Sequence, residues 1–531
     1  VTATTAQATG TGSLIRFTVR RDRVRMVVWV VAILLLVGST VASIKGLYPT
    51  QHDLDLAARA SEDNAAAIAF NGPPQALDTL GGQMAFQVGA FGLVTVALMS
   101  LFMTGRLTRG EEEAGRLELL RSLPLGADAP TVAALATVAG MDLAVGALVG
   151  ATLIGLGLPT VGSVVFGLSF GLLGLFFVGV TLVAAQVSEN TRVVYGIAGS
   201  VVGASFLLRA VGDIGDGSLS WLSPIGWAQK TRPFAGEEWW PFALLLLATG
   251  ILFAVAAALA RRRDVGAGLV APRPGPASAG PGLGSAAGLA RRLQRGSLIG
   301  WAATLLFFGI AYGSVADSVN DFVRDNQAMA DIIAAQGGGS IVDSYLAMSF
   351  RVLALLGAGF AVQATLRLRS EETSLHAEQV LVAATSRPRW AAGHLAIALV
   401  GSVLILVVAG LSLGLTDAAV TGETDVVLRS LGASVVYAPA VWVLVGTSFA
   451  LVGLAPRAAP AAWAVLAACF VVGMFGQLLE LPQWVSDASP FQHVPQLPAA
   501  DFAVVPLLLL TVLAAALTGA GLVGLRRRDI A

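Results

Sequence analysis

The chain has 531 residues, 56% of them hydrophobic and 12% charged, with 33 basic and 33 acidic side chains and a formal net charge of zero. Soluble domains carry about 25% charged residues, so this composition and a mean hydropathy of +0.77 indicate a polytopic membrane protein. A neutral chain lacks the basic surface that a nucleic-acid binder needs, and its single cysteine, Cys469, excludes an intrachain disulfide and a thiolate metal site.

Residues 1–12 are small and polar and read as a loose tail. Arg16, Arg20, Arg21, Arg23 and Arg25 then precede an apolar run from Met26 to Ile44. That run is too long for the apolar region of a signal peptide and reads as an uncleaved first span. Residues 13–25 read as an amphipathic helix lying on the inner membrane face. Further runs at 83–104, 131–157, 161–186, 193–210, 240–260, 298–316, 345–366, 391–415, 430–453, 459–479 and 502–525 bring the expectation to twelve spans. Pro, Gly and Ala dominate the stretch between the sixth and seventh runs, a composition that cannot maintain a helix. The organisation is thus a first six-span half (1–263), a cytoplasmic linker (264–290) and a second six-span half (291–531).

An internal repeat points to the same division. Shifts of 260 to 272 residues align Trp29 with Trp301, Arg23 with Arg295, Ser223-Pro224 with Ser489-Pro490, and Arg261 to Asp264 with Arg526 to Asp529. Each half has an even number of spans and starts with a basic segment, so the repeats are parallel. With the N-terminus inside, inner segments hold 25 Lys and Arg and outer loops 6, with Arg209 and Arg351 inside spans. This follows the positive-inside rule and puts both termini in the cytoplasm. The outer acids Asp317, Asp321, Asp325, Asp331 and Asp343 read as a solvated face.

Two charged segments stand out between apolar runs. Thr108 to Gly126 holds Glu111, Glu112, Glu113, Arg116 and Glu118, and its copy 260 residues on holds Glu371, Glu372, His376 and Glu378. Each copy has a basic or titratable group four residues after its second glutamate, the spacing at which helix side chains meet. Thr108 and Glu111 have the capping-box spacing, and Pro124 and Gly126 would stop the helix. As structure alone, this is a short solvated helix whose Glu112–Arg116 pair is worth under about 1 kcal/mol. Leucines beside the charge, and a second copy on the same membrane side, favour a docking surface for a cytoplasmic partner.

No catalytic constellation is present. Lys45 and Lys230 lie outside any phosphate-binding glycine loop, and His52, His376, His394 and His493 are scattered. His52 to Asp55 reads as an exposed polar loop rather than a metal site. Within spans, Asp142 reads as a carboxyl hydrogen-bonded between helices ahead of a proton relay or substrate contact, and Arg209 and Arg351 as snorkelling side chains. Gly167 with Gly171, Gly199 with Gly203, and Gly410 with Gly414 read as close helix packing, and Cys469 as a small core residue. A pathway between the halves would be lined by Gln83, Phe86, Gln87, Asp142, Phe206, Gln363, Phe470, Met474 and Gln477.

The basic start, the EEEAGRLELLRS segment, its SEETSLHAEQVL copy, the WLSPIGWAQKTRPF and SPFQHVPQLP stretches and the RRRD ends together resemble permease subunits of bacterial ABC exporters of the polyketide-antibiotic exporter family. The resemblance covers nearly the whole chain. It implies a fused pair of six-helix transmembrane domains of the type-two ABC exporter kind in the bacterial cytoplasmic membrane. Two copies of a cytoplasmic ATP-binding protein would hold ATP and Mg, with no cofactor on this chain. The basic pre-span segments would be elbow helices, the segments around Glu111 and Glu371 coupling helices, and 211–239 and 480–500 the hairpins closing the outer gate. Thr373, Leu375 and His376 replace Glu113, Gly115 and Arg116 in the second copy, which makes the two docking points unequal.

The leading expectation is ATP-driven export of hydrophobic or amphipathic compounds by a non-enzymatic, all-α membrane subunit. An ion-gradient transporter of two six-span halves and a non-transporting scaffold are the alternatives. Cysteine labelling in a Cys469→Ala background should find positions 60, 220, 330, 420 and 487 external and 115, 280 and 375 internal. One clear reversal would break the twelve-span topology.

Overall fold

In lipid no water is at hand to satisfy backbone amides and carbonyls, so an apolar chain must pair them within each segment, as helices do. The computed structural model describes residues 9–528 apart from 63–64, 123, 127, 265, 272–274, 276, 326–340, 384 and 476–481, and its regular structure there is entirely helical. Among the described residues eleven helices are long and apolar enough to cross a membrane, and Ala461–Met474 is a shorter apolar helix. The protein is an all-α polytopic membrane protein.

The chain forms two compact units, Val1–Gly275 and Pro276–Ala531. In the first, α1 (Thr11–Leu47), α2 (Gln51–Glu62), α3 (Ala65–Asn71), α4 (Leu80–Leu107), α5 (Arg109–Glu113), α6 (Arg116–Arg121), α7 (Ala129–Gly155), α8 (Thr160–Val187), α9 (Thr191–Ile214), α10 (Pro224–Gln229) and α11 (Pro241–Ala260) follow in order. The second holds α12 (Ala286–Asp325), α13 (Ile341–Thr373), α14 (His376–Val382), α15 (Arg387–Thr421), α16 (Val426–Val435), α17 (Ala438–Leu454), α18 (Ala461–Phe475), α19 (Gln483–Asp487) and α20 (Val504–Arg527). The second and fourth spans of each unit are the most buried, with 67% to 78% of their apolar windows covered against 22% for the first and sixth.

Three local expectations are corrected. The basic stretch 13–25 is not a separate helix lying in the membrane plane: it is the start of α1, which runs unbroken for 37 residues, about 55 Å at the helical rise. No Gly or Pro occurs between Ser13 and Val37, so nothing in the chain breaks the helix where charge gives way to apolar residues. The second basic stretch likewise continues into the 40-residue α12. Residues His52 to Asp55 are helical rather than a loop, because Thr50 and Asp53 cap α2 reciprocally, with Thr50 N donating to Asp53 Oδ2 (3.0 Å) and Asp53 N to Thr50 Oγ1 (3.3 Å).

The glycine pairs divide. Gly146 and Gly150 of α7 lie against Gly167 and Gly171 of α8, and a Cβ built on Gly146 would come within 2.6 Å of Gly167 O. Gly410 and Gly414 of α15 admit Ser430 and Ser434 of α16 in the same way. Gly199 and Gly203 are the correction: nothing lies within 4 Å of a Cβ at either, so they make no close helix contact. Cys469 is buried at 5% exposure and packs in the second unit's core. Gly146→Ala should therefore destabilise the protein by about 1–3 kcal/mol through forced helix separation, whereas Gly199→Ala should be neutral or gain up to about 1 kcal/mol of helix propensity. Thermal unfolding in detergent, followed by loss of the folded chromatographic peak, measures both.

Candidate functional site

The first charged segment is not one helix. It breaks at Ala114-Gly115, where Gly115 takes the left-handed φ of +68° that glycine adopts without a Cβ penalty, leaving α5 and α6 as separate short pieces. The capping box at Thr108 does not form, since Thr108 Oγ1 donates instead to Thr104 O (2.6 Å). The break also retires the Glu112–Arg116 pair. Arg116 turns back to Glu111, with Nε and Nη2 donating to its two carboxylate oxygens at 2.8 and 3.0 Å. Arg21 of α1 donates to the same two oxygens at 3.1 Å each. These bonds raise the Arg116 guanidinium above its ordinary value.

Glu112 has different partners. It accepts from Arg109 one turn earlier and from both terminal nitrogens of Arg263, at 3.0 and 2.9 Å, just beyond the unit's last span. Arg109 is fully buried and also donates to Ser188 O and Ala267 O, both at 2.7 Å. Beside it, Asp22 of α1 collects Arg21, Arg25 and Arg106 at 3.0, 2.6 and 3.0 Å. Glu113 accepts from Thr191 N (3.1 Å) at the start of α9. The segment is thus tied to the first, second, fourth, fifth and sixth spans of its own unit. The segment is only partly solvated: Glu111 is 8% exposed, while Glu113, Arg116 and Glu118 remain exposed.

The second unit repeats the innermost part of this arrangement. Glu372, 1% exposed, accepts from Arg369 (3.1 Å) one turn earlier and from Arg528 (2.5 Å) after the unit's last span. Glu371 differs from Glu111: it pairs with Arg367 (2.6 Å) on its own helix and with His376 Nδ1 (3.6 Å), and no arginine of α12 pairs with it among the described residues. The break between α13 and α14 falls at Leu375, which holds φ +59° where the first unit has Gly115. A leucine there carries strain that glycine lacks.

The nine candidate coupling residues therefore fall into two groups. Glu111, Glu371 and Glu372 are buried and Glu112 is half-buried, all in ion pairs, while Glu113, Arg116, Glu118, His376 and Glu378 are exposed. Sequence reading missed Asp22, Arg109, Arg263, Arg369 and Arg528. A usable signal was present: Arg109 and Arg369 align, and so do the RRRD ends that supply Arg263 and Arg528.

The pathway candidates are dispersed. Gln83 donates its side-chain amide to Leu77 O (2.9 Å), in the turn that precedes α4. Phe86 lines a cleft with Asn71, Phe166 and Gln229, Gln87 is half-buried, and Phe206 packs against Phe91. In the second unit Gln363 accepts from Trp301 Nε1 (2.7 Å), Phe470 borders an apolar cleft with Trp301 and Trp463, Met474 is half-buried, and Gln477 lies outside the described residues. Asp142, fully buried, meets Ser100 Oγ of the second span at 2.8 Å and packs against Gly174 of the fourth. Arg209 does not snorkel. It is fully buried, with its guanidinium donating to Ile68 O (3.3 Å) and Phe70 O (3.2 Å), 3.6 Å from Asp213 and 4.5 Å over the Phe206 ring. It ties the fifth span to α3 at the end of the unit opposite the charged segment.

The model of a family described as "Multidrug efflux system permease Rv1217c, C-terminal domain" matches residues 283–526. Over 525 residues, 98% of this chain and 95% of its relative, the chain is 39% identical to the multidrug efflux system permease protein Rv1217c of Mycobacterium tuberculosis (strain ATCC 25618 / H37Rv).

Leu375 is 58% exposed, so Leu375→Gly removes little packing while relieving the left-handed strain, and should stabilise the chain by about 1 kcal/mol. Gly115→Leu should cost about 1–2 kcal/mol for the mirror reason. Opposite shifts in thermal midpoint are the expected readout, and equal shifts would contradict the strain account.

Proposed function

Because the chain belongs to the family of multidrug efflux system permeases, which are permeases of ABC-type exporters, we propose that it forms the membrane pathway for hydrophobic or amphipathic compounds, polyketide antibiotics and drugs among them, driven by a separate ATP-binding subunit. The observation that carries the energy-coupling part is the ion-paired clamp in each unit, Arg109–Glu112–Arg263 and Arg369–Glu372–Arg528, with Arg109 and Glu372 buried, which fixes a short segment and leaves charge exposed on it. Removing one member of a buried ion pair costs about 3–5 kcal/mol, so such a clamp suits a rigid mount for a moving partner. In this reading the buried glutamates position the segments, and Glu113, Arg116 and Glu118 in one, His376 and Glu378 in the other, meet the partner. Two ATPase protomers dock on one permease chain from the cytoplasm, where both termini lie.

A path for large amphipathic cargo is lined by aromatic, flexible apolar and amide side chains. Phe86, Gln87, Phe206, Gln363, Phe470 and Met474 are its candidate lining, and Gln83 contributes less because its amide is already engaged. Substitutions there that change which compounds are exported, at constant expression, support the path.

The coupling reading is tested on the permease purified with its ATP-binding partner. Glu118→Lys should lower permease-stimulated ATP hydrolysis by at least about tenfold, because an exposed docking acid faces basic groups and reversal sets like charges together. Glu378→Lys at the aligned position should do less, and the complex mass should fit two ATPase protomers. Normal coupling in both variants, or a mass fitting one protomer, would overturn the assignment, and export that survives removal of the ATPase would favour an ion gradient.

A further inference from the structure

Each unit begins with a helix that carries unpaired arginines and an exposed apolar stripe on one face. In α12, Arg292 and Arg291 lie three and four residues before Arg295, and Ile299, Leu306 and Ile310 continue the face of Arg295 at steps of four, seven and four. Those three apolar side chains are 68%, 46% and 48% exposed, too open for a core. In α1, Arg16, Arg20 and Arg23 lead in the same way into exposed Val27, Val31 and Leu35.

Charge pairing separates these arginines from their neighbours. Arg21 and Arg25 are taken up by Asp22 and Glu111. Among the described residues none of the six stripe arginines is in an ion pair. In the second unit the chain before α12 folds back on them: Gly288 lies directly against Gly282 O, and glycine backbone closes one side of a cavity that the three arginines line.

We propose that these faces are binding sites for an anionic phospholipid, its phosphate on Arg291, Arg292 and Arg295 and an acyl chain along Ile299, Leu306 and Ile310, with a second such site on α1. The continuity of each helix makes this possible, since the headgroup and chain of one lipid lie along the same axis as the arginines and the stripe. A free phosphate would use the arginines and leave the stripe uncovered, and an acidic protein surface would not follow the helix into the hydrocarbon. Each basic residue near an anionic membrane surface contributes roughly fivefold to association. The inner-leaflet location rests on the topology proposed above, whereas the lipid preference does not.

The test uses the full chain in phosphatidylcholine nanodiscs with trace spin-labelled phosphatidylglycerol or phosphatidylcholine, a measurement blind to orientation. Wild-type protein should retain phosphatidylglycerol at least fivefold over phosphatidylcholine, roughly the effect of one arginine. The triple variant Arg291→Gln, Arg292→Gln, Arg295→Gln should lose a large part of that preference, and Arg16→Gln, Arg20→Gln, Arg23→Gln most of the remainder. Equal retention of the two lipids by wild-type protein overturns the proposal even if the variants fail to fold. Unchanged preference in well-folded variants overturns it too, as does complete displacement of the lipid by inorganic phosphate, which would mark a soluble-anion site.

Discussion

A carboxylate held between two guanidiniums, one from its own helix and one from beyond the last span, is the constraint on which the basic end of each unit depends. Glu112 and Glu372 close their units in this way, joining residues more than 150 positions apart in sequence. Charge as deeply covered as that of Glu372 and Arg109 is costly unless paired and hydrogen-bonded. The pairing therefore dictates geometry: α5 cannot tilt without pulling on Arg109, and Arg109 holds the ends of the fourth and sixth spans through Ser188 O and Ala267 O. A segment that reads as a loose solvated helix is anchored to the packed bundle at one end while Glu113, Arg116 and Glu118 stay exposed.

The two units share this innermost layer and differ in the next. Around Glu111 the first unit adds Arg21 of α1 and Arg116, so that its first span is tied to the segment directly. Around Glu371 the corresponding bonds are local, from Arg367 and His376, and the turn is made by a strained leucine. Both segments are thus held to their second and sixth spans, and the first segment is held to its first span as well. The two segments are therefore held unequally within their own units, and this difference lies in these partners more directly than in the sequence differences at Glu113 and Arg116.

At the opposite end of the first unit, another buried cation does related work, with backbone carbonyls beside a single carboxylate, Asp213. Arg209 satisfies carbonyls at Ile68 and Phe70, near the C-terminal end of α3, and Ser220 Oγ donates to Asp213 Oδ1 (2.5 Å) beside it. Carbonyls in the last turn of a helix lack intrahelical partners: Phe70 O accepts from Arg209, while Ile68 O already accepts from Gly72 N (2.9 Å) and takes Arg209 as a second donor.

The amino-acid sequence by itself determined the class and the frame: twelve apolar runs, the repeat and the charge asymmetry all follow from local composition and period, because a lipid environment leaves a chain few alternatives to helix. It also held the unbroken α1, in the absence of any helix breaker before Val37, though the change from charge to apolar residues suggested a boundary there. It marked the glutamates as unusual but not their roles, since Glu111 and Glu118 look alike in sequence while one is buried and the other exposed. Only the tertiary structure decided that. Ion-pair partners are chosen by which helix ends arrive together, and the left-handed break at Gly115 turned Arg116 from Glu112 to Glu111, a choice that a regular helical spacing could not reveal.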